Sequence, residues 1–406
     1  MATPASDPLP TPAPAASRTV PRFPTTPRRR LLADRAARWL VSAGGIGIIA
    51  SILGILLFIL LEVLPLTRPA AVAVAGESAL PAPALAVVGD EYRSHLAMIS
   101  PDGRTRVVRL ADGATVAEQM IDPAAADSAA APSLRIVAAA VPPGGSMLAA
   151  ASADGRVLLQ PVAWEVAFDA AQRRVVSPRL AAPTALELDP AHRPLAAFTA
   201  VQAGGTDLAA AAQIADGSVH LLSVLRTENM MTGEVEQTEI RSQATAPGPL
   251  GPMVLDHQVR NLFAGTAGGE LVWWPIEDGV LQEPRAYPAG SAAITALTLL
   301  IGDRSLVVGQ ADGALSIWYP VRQGDDSFLL TRIRDFPAQG AAVTLLAPSQ
   351  RNRTFLAVDA AGGLGLYFST SNRTLWRGAA TVPDLRAASF SPKADGAFLA
   401  GGQRLE

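Results

Sequence analysis

The stretch AAITALTLLIGDRSLVVGQADGALSIWYP, residues 292–320, decides the fold. It holds two apolar runs with a short polar break between them, then an Asp-Gly pair and a third apolar run. Apolar side chains that alternate along a run, such as Leu315 and Ile317, indicate strands with one buried face. The pair Asp312-Gly313 supplies the positive φ angles of a two-residue hairpin turn. The sequence therefore predicts an antiparallel meander of short strands.

The same turn recurs from residue 102 onward. Its copies are Asp102-Gly103, Asp154-Gly155, Asp216-Gly217, Gly268-Gly269, Asp312-Gly313 and Ala361-Gly362. The register of the last copy is ambiguous, and Ala361-Gly362 fits the alternation best. The steps between copies are 52, 62, 52, 44 and 49 residues, and periods of about 40 to 50 residues with four short strands are typical of β-propeller blades. A β-solenoid or two sandwiches would give similar strands, but a sandwich would not repeat one turn at a steady step.

A seventh copy, LRAASFSPKADGAFLAGGQRLE, begins at Leu385 and stops after about half a blade. The repeat resembles that of WD40-like propellers, although the Trp-Asp dipeptide is absent and only Trp274 and Trp318 lie near its expected place. The predicted fold class is mainly β, with seven blades of which the last is incomplete. An incomplete ring would leave an exposed strand edge, and a chain extended by half a blade should be more stable.

Upstream of the repeats, Leu40–Leu61 is 22 residues without a formal charge. At about 1.5 Å per residue such a helix covers about 33 Å, enough to cross a bilayer. Residues 1–39 contain seven arginines, so the positive-inside rule predicts a cytoplasmic amino terminus and a propeller on the outer side of the membrane. A signal peptide is the alternative, but its apolar region would be shorter and would end at a small-residue cleavage site.

These patterns divide the chain into four predicted parts. Residues 1–30 form a disordered, Pro/Ala-rich cytoplasmic tail, and residues 31–66 form a transmembrane helix with a basic flank. Residues 67–79 are a linker, and residues 80–406 form the propeller domain.

Small residues recur along one face of the predicted transmembrane helix. They are Gly44, Gly47, Ser51 and Gly54. Such a face allows close packing against another helix in lipid. The alternative, that glycine is simply common in membrane helices, stays open.

The search for catalytic, cofactor and metal motifs gives negative results. The chain has no cysteine, which excludes disulfides, thiolate catalysis and zinc–cysteine sites. The four histidines lack metal-ligand spacing and are expected to be ordinary loop residues; they are His95, His192, His220 and His257. No GxSxG, HExxH or P-loop motif occurs, so we predict no enzyme activity and no cofactor. An anchored hydrolase and a quinone-dependent dehydrogenase are therefore disfavoured, and the acidic balance of residues 67–406 gives no general attraction for nucleic acid.

The passage DRAARWLVSAGGIGIIASILGILLFILLEVLPL, residues 34–66, followed by a propeller-like domain, resembles the amino-terminal part of phosphate ABC transporter permeases of the PstC type. The likeness is to the long bacterial form, which carries a periplasmic insert between its first and second membrane helices. It implies a bacterial inner membrane with the propeller in the periplasm. It implies as partners a second permease subunit, ATPase subunits and a periplasmic phosphate-binding protein, with the propeller as a docking or regulatory domain. No phosphate-path residue can be assigned, because the later helices of that family are not matched. The downstream reading frame is then expected to complete the blade and encode further membrane helices.

The alternative function is a stand-alone, membrane-anchored propeller that serves as a periplasmic protein-interaction scaffold. Both functions require an inward tail, one membrane span and an outer binding domain. The sequence features given above therefore leave the two functions unresolved.

Overall fold

A computed structural model describes residues 27–64, 70–124, 135–228, 231–324 and 327–406. The chain forms two units, Met1–Pro69 and Ala70–Glu406, which are treated separately below. Most of the predicted disordered tail, residues 1–26, lies outside the described residues, as do residues 67–69 of the predicted linker.

The first unit contains one helix, α1 (Arg28–Val63), of 36 residues. The helix begins within the arginine run that the sequence analysis placed in the tail. It is long and apolar enough to cross a membrane. None of its residues is buried within the unit.

The second unit is a ring of seven antiparallel sheets, which confirms the predicted mainly-β, seven-bladed propeller. Each sheet is one blade, and its strands are hydrogen-bonded in chain order or nearly so. Blade 1 contains β2 (Ala86–Gly89), β3 (His95–Ile99), β4 (Arg104–Arg109) and β5 (Thr115–Met120). Blade 2 contains β6 (Ile136–Ala140), β7 (Met147–Ser152), β8 (Arg156–Phe168), β9 (Arg174–Leu180) and β10 (Thr184–Glu187). Blade 3 contains β11 (Leu195–Gln202), β12 (Leu208–Ile214), β13 (Ser218–Glu228) and β14 (Val235–Thr245).

The remaining blades follow the same plan. Blade 4 contains β15 (Leu250–Leu255), β16 (Asn261–Thr266), β17 (Glu270–Glu277), β18 (Val280–Leu281) and β19 (Arg285–Pro288). Blade 5 contains β20 (Ile294–Leu299), β21 (Leu306–Gln310), β22 (Leu315–Arg322) and β23 (Phe328–Phe336). Blade 6 contains β24 (Val343–Pro348), β25 (Thr354–Asp359), β26 (Gly363–Phe368) and β27 (Arg373–Ala379). Blade 7 contains β28 (Leu385–Phe390), β29 (Ala397–Gly401), β30 (Arg404–Leu405) and β1 (Ser78–Ala79).

The apolar core lies between the blades. Seven clusters of buried side chains can be distinguished, and each joins two neighbouring blades. One of them packs Val87 and Leu96 of blade 1 against Phe398 and Ala400 of blade 7. Because a side chain on one face of a strand contacts the next sheet, the period-2 alternation in each strand serves two different clusters. The ring is therefore held by contacts between sheets as well as by hydrogen bonds within them.

Blade 7 differs from the prediction of an incomplete last blade. Its fourth position is filled by β1, which precedes blade 1 in the chain and pairs with β30 in the register Ser78↔Leu405. The backbone N–H of Leu80 extends this pairing by donating to the carbonyl of Gln403 at 2.9 Å. The closure of the ring by β1 could not be predicted from sequence patterns, because β1 and β30 are each only two residues long. The expected open seam is absent among the described strands, since β28 contacts β2.

We predict that ring closure depends on Leu80, which is 4% exposed in the cluster between blades 7 and 1. Replacing Leu80 with Ala should lower the free energy of unfolding by about 2–5 kcal/mol, because the cavity left behind cannot collapse fully. The control is Val74→Ala, an exposed position before β1, which should change it by no more than about 0.5 kcal/mol. Denaturant unfolding of the full chain in detergent, followed by circular dichroism, measures both. Equal stabilities of the two variants would contradict the closure.

Candidate interaction face

The meander of each blade sorts its connections onto two faces of the ring. Loops between the first and second strands, and between the third and fourth, emerge on one face, which we call the hairpin face. Turns between the second and third strands, and the passages to the next blade, emerge on the other, which we call the turn face. The hairpin-face loops include residues 90–94, 141–146, 256–260, 300–305 and 349–353.

All six turns singled out in the sequence lie on the turn face, each between the second and third strands of its blade. The second residue of each turn is a glycine with a positive φ: Gly103 +77°, Gly155 +80°, Gly217 +89°, Gly269 +80°, Gly313 +83° and Gly362 +82°. Asp102, Asp216 and Asp312 each accept a backbone N–H two residues ahead. Where Ala361 replaces the aspartate, the carboxylate of Asp359 accepts the N–H groups of Ala361 and Gly363 instead.

Three of these glycines also lie against the backbone that leads to the next blade. A Cβ on Gly313 would be 2.5 Å from the carbonyl oxygen of Gln339, and Gly155 and Gly269 face carbonyls in the same way. The N–H of Gln339 donates back to the carbonyl of Gly313 at 2.9 Å. Gly217 and Gly362 share the positive φ but have open space beside them.

We therefore predict unequal effects of alanine at two turns with the same backbone angle. Gly313→Ala and Gly362→Ala both place a side chain at positive φ, which costs about 1 kcal/mol or more. Gly313→Ala should be the more destabilising, because its methyl group also collides with the Gln339 carbonyl. Thermal unfolding of the two variants tests this. A melting temperature for Gly362→Ala at or below that of Gly313→Ala would show that the collision is unimportant.

Arginine–aspartate clusters tie the first blades together on the turn face. Arg156 donates to both carboxylate oxygens of Asp122 at 3.1 and 2.8 Å and also pairs with Asp154. Hydrogen bonds to Asp122, opposed by burial, raise the pKa of the Arg156 guanidinium further. Arg193 makes the equivalent contacts with Asp189 and Asp216. These are structural links, since every partner is already satisfied within the cluster.

The hairpin face carries most of the large exposed apolar side chains of the propeller. The third strands of blades 2, 3 and 5 run on past the second strands and stay paired with the strand that follows, so their hairpins project from the ring. Large exposed apolar residues on this face are Val166, Phe168, Val175, Leu225, Met231, Val235, Val280, Ile301, Phe328 and Leu329. At the turn-face end of the strands, Val137 near the start of β6 is 49% exposed, and within the described ranges the turns and passages of the turn face hold no large exposed apolar residue.

The hairpins of blades 3 and 4 lie side by side and are acidic. The N–H of Leu281 donates to Oγ of Ser242 at 2.9 Å, which joins the two blades. Exposed carboxylates on these two hairpins are Glu228, Glu234, Glu236, Glu277 and Asp278. The hairpin face is therefore both apolar and negatively charged here.

At the centre of the hairpin face, loops of blades 2, 4, 5 and 6 enclose a cavity of about 230 Å³, the channel mouth. Its polar lining includes His257 and Asp303, whose Nδ1 and Oδ2 atoms lie 2.8 Å apart. The hydrogen bond to Asp303 raises the pKa of His257 above its ordinary value; burial opposes this, while the Pro143 carbonyl and Asp256 reinforce it. Burial also raises the pKa of the Asp256 carboxyl.

The other histidines lie apart from this pair. His95 is buried in blade 1, and burial lowers its pKa. His220 contacts the Leu188 carbonyl and Ser218, and His192 lies 3.6 Å from Glu187. Among the residues that the structure describes, no group of three or more potential metal ligands occurs. Ser349 also lines the channel mouth, but its Oγ is buried and accepts the N–H groups of Arg351 and Asn352.

The small residues of the helix, Gly44, Gly47, Ser51 and Gly54, all lie within α1. Space beside all four glycines of α1 is open to 4 Å. Their predicted role in helix packing therefore stays a prediction.

Sequence reasoning missed the His257–Asp303 pair because the two residues are 46 positions apart. A signal was present in the repeat. Both residues occupy the loop between the first and second strands of adjacent blades, positions that the ring brings to its centre.

No protein-family model and no curated protein matches this chain. A similar solved structure is the crystal structure of the Cps50 (Swd1) β-propeller domain of Myceliophteria thermophila, with a TM-score of 0.55 and 15% identity over 82% of this chain and 98% of that one. At this identity the likeness shows the fold alone. The chain has an N-terminal apolar helix and a β-propeller. Because 1457 solved chains match, the fold by itself does not select a function.

Proposed function

We propose that this chain is a membrane-anchored β-propeller that acts as a non-enzymatic scaffold and binds a protein partner through its hairpin face. The observation that carries the proposal is the unequal distribution of exposed apolar side chains between the two faces. Exposed apolar groups gathered on one face of a soluble domain mark interaction sites more often than scattered ones do. The turn face is instead closed by tight turns and satisfied ion pairs.

The chemistry of the hairpin face defines the partner. Phe168 is 63% exposed and Val235 is 61% exposed, and covering a side chain of this kind is worth about 1.5–3 kcal/mol. The carboxylates on the hairpins of blades 3 and 4 would attract a basic surface and increase its association rate. A partner with apolar side chains set among Arg and Lys fits both features.

In this proposal α1 is the anchor, with residues 1–39 in the cytoplasm and the propeller in the periplasm. The arginine asymmetry across the helix supports this orientation. Protease added to spheroplasts should digest the propeller and spare an amino-terminal tag. A digested tag with an intact propeller would overturn the orientation, and a propeller released without its helix would indicate a cleaved signal peptide.

A finer hypothesis assigns the chain to a phosphate importer of the PstC type. Its support is the likeness of residues 34–66, followed by a propeller-like domain. None of the comparisons adds to that likeness. In this case the hairpin face would bind a transporter subunit or the periplasmic phosphate-binding protein.

Photocrosslinking in cells tests the scaffold proposal. A benzophenone amino acid is placed at Phe168, Val235 or Phe328 on the hairpin face, with Asp312 and Ala361 as exposed control positions on the turn face. We expect the same discrete adduct from at least two hairpin-face positions and none from the controls. Adducts of equal yield from both faces, or none at all, would contradict the proposal. If the adduct is a phosphate-binding protein or a permease subunit, the finer hypothesis is supported; an unrelated protein counts against it.

A further inference from the structure

We propose that the first loop of blade 2, residues 141–146, is a latch across the channel mouth. Protonated His257 holds this loop in place, and deprotonation of His257 releases it. The inference concerns regulation of the hairpin face. Its functional consequence therefore rests on the proposed function, although the latch itself does not.

The loop contacts two blades that are not its neighbours. Blade 2 adjoins blades 1 and 3 in the ring, yet a Cβ on Gly144 would lie 3.3 Å from Nε2 of His257 in blade 4. A Cβ on Gly145 would lie 3.5 Å from the side chain of Gln350 in blade 6. The loop therefore reaches over the centre of the ring.

The loop sequence suits a bridge of this kind. Gly144 and Gly145 have φ of +96° and +63°, which side chains disfavour, and their lack of a Cβ permits the close approach. Within the loop, the N–H of Gly145 donates to the Pro142 carbonyl at 3.3 Å, a long hydrogen bond. Much of the fixation of the loop must therefore come from the side chains that it meets.

The His257 ring lies between Asp303 and the loop. Nδ1 is 2.8 Å from the carboxylate of Asp303, and Nε2 faces the loop, where a Cβ on Gly144 would lie 3.3 Å from it and where the Pro143 carbonyl helps to raise the pKa of the ring. A neutral imidazole has one N–H, whereas an imidazolium has two. Only the protonated ring can donate to Asp303 and to the loop at once. A neutral ring keeps its proton toward the carboxylate and presents a lone pair to the loop.

The charged groups around the ring favour the protonated form. Asp303 belongs to the loop of blade 5, and the buried Asp256 precedes His257 in the loop of blade 4. Blade 6 presents the uncharged Gln350 and Ser349, and the loop of blade 2 has no titratable side chain. Arginines of the same loops, Arg260, Arg304, Arg351 and Arg353, are exposed.

The sign of the pH dependence follows from the raised pKa of His257. The extra stability of the closed loop is fully present below the ordinary histidine pKa of about 6.5, and it is lost as the pH rises through the raised value. Release would uncover the apolar lining of the channel mouth, including Leu299 and Pro348, beside the exposed Ile301. A partner that binds the hairpin face would then gain a central apolar contact at higher pH.

Hydrogen–deuterium exchange of the full chain in detergent tests the latch. The readout is protection of the amides of residues 144–146, corrected for intrinsic exchange rates, between about pH 5 and pH 8.5, where histidine titrates. We expect a severalfold loss of protection with rising pH in the native chain. His257→Gln should give low protection at every pH. His192→Gln, which changes an exposed histidine on the turn face, should behave like the native chain.

A second variant keeps the test decisive if His257→Gln disturbs folding. Asp303 has φ +55°, a conformation that asparagine tolerates, so Asp303→Asn should preserve the loop. It should move the midpoint of the transition to lower pH, because the carboxylate that favours the imidazolium is removed. Protection that does not vary with pH in the native chain, or a transition unchanged in both variants, would overturn the latch. A transition without crosslinks from any of the hairpin-face positions would support the latch and contradict only the scaffold proposal.

Discussion

The blades of this propeller share their cores, and this is the constraint on which the rest of the structure depends. Each apolar cluster takes side chains from two adjacent sheets, so an isolated blade would expose half of what the ring buries. Burial at about 25 cal/mol per Å² therefore stabilises the ring as a whole. The two-residue pairing of β1 with β30 becomes important for the same reason, since it covers the edge of the sheet that joins the ends of the domain.

Much of the fold could be predicted from the sequence because the blade repeat has a strong local code. Alternating apolar residues fix which strand faces are buried, and Gly103, Gly155 and their counterparts fix the turns between the second and third strands. The last blade could not be predicted in the same way. β1 has too few residues for any period, and its partner lies more than 300 positions away. The turn at Ala361 was only partly predictable from the sequence. The carboxylate that supports this turn is supplied by Asp359, a residue outside the turn pair.

The candidate site was less predictable than the fold for a physical reason. Patterns along the chain identify strands and turns, whereas the channel mouth is made where loops of separate blades converge. His257 has no distinctive neighbours in sequence, and only the ring places Asp303 and the loop of blade 2 beside it. The projecting hairpins were similarly hidden, since strand continuation past a partner depends on register. The function is harder to predict than the site, because the similarity to known structures establishes only that the domain is a propeller. Its partner must be identified by experiment.

The account depends most directly on the closure of the ring by β1, and an engineered disulfide in this cysteine-free chain measures it. Ala79 and Arg404 are exposed register partners, and the adjacent Leu80–Gln403 hydrogen bond makes them a non-hydrogen-bonded pair, the geometry with the closest Cα atoms. The double variant Ala79→Cys/Arg404→Cys should form an intramolecular disulfide under mild oxidation and melt at a higher temperature than its reduced form. The control Ala73→Cys/Arg404→Cys should remain reduced. Failure of the first pair to crosslink, or equal crosslinking of both pairs, would contradict a ring closed by this strand.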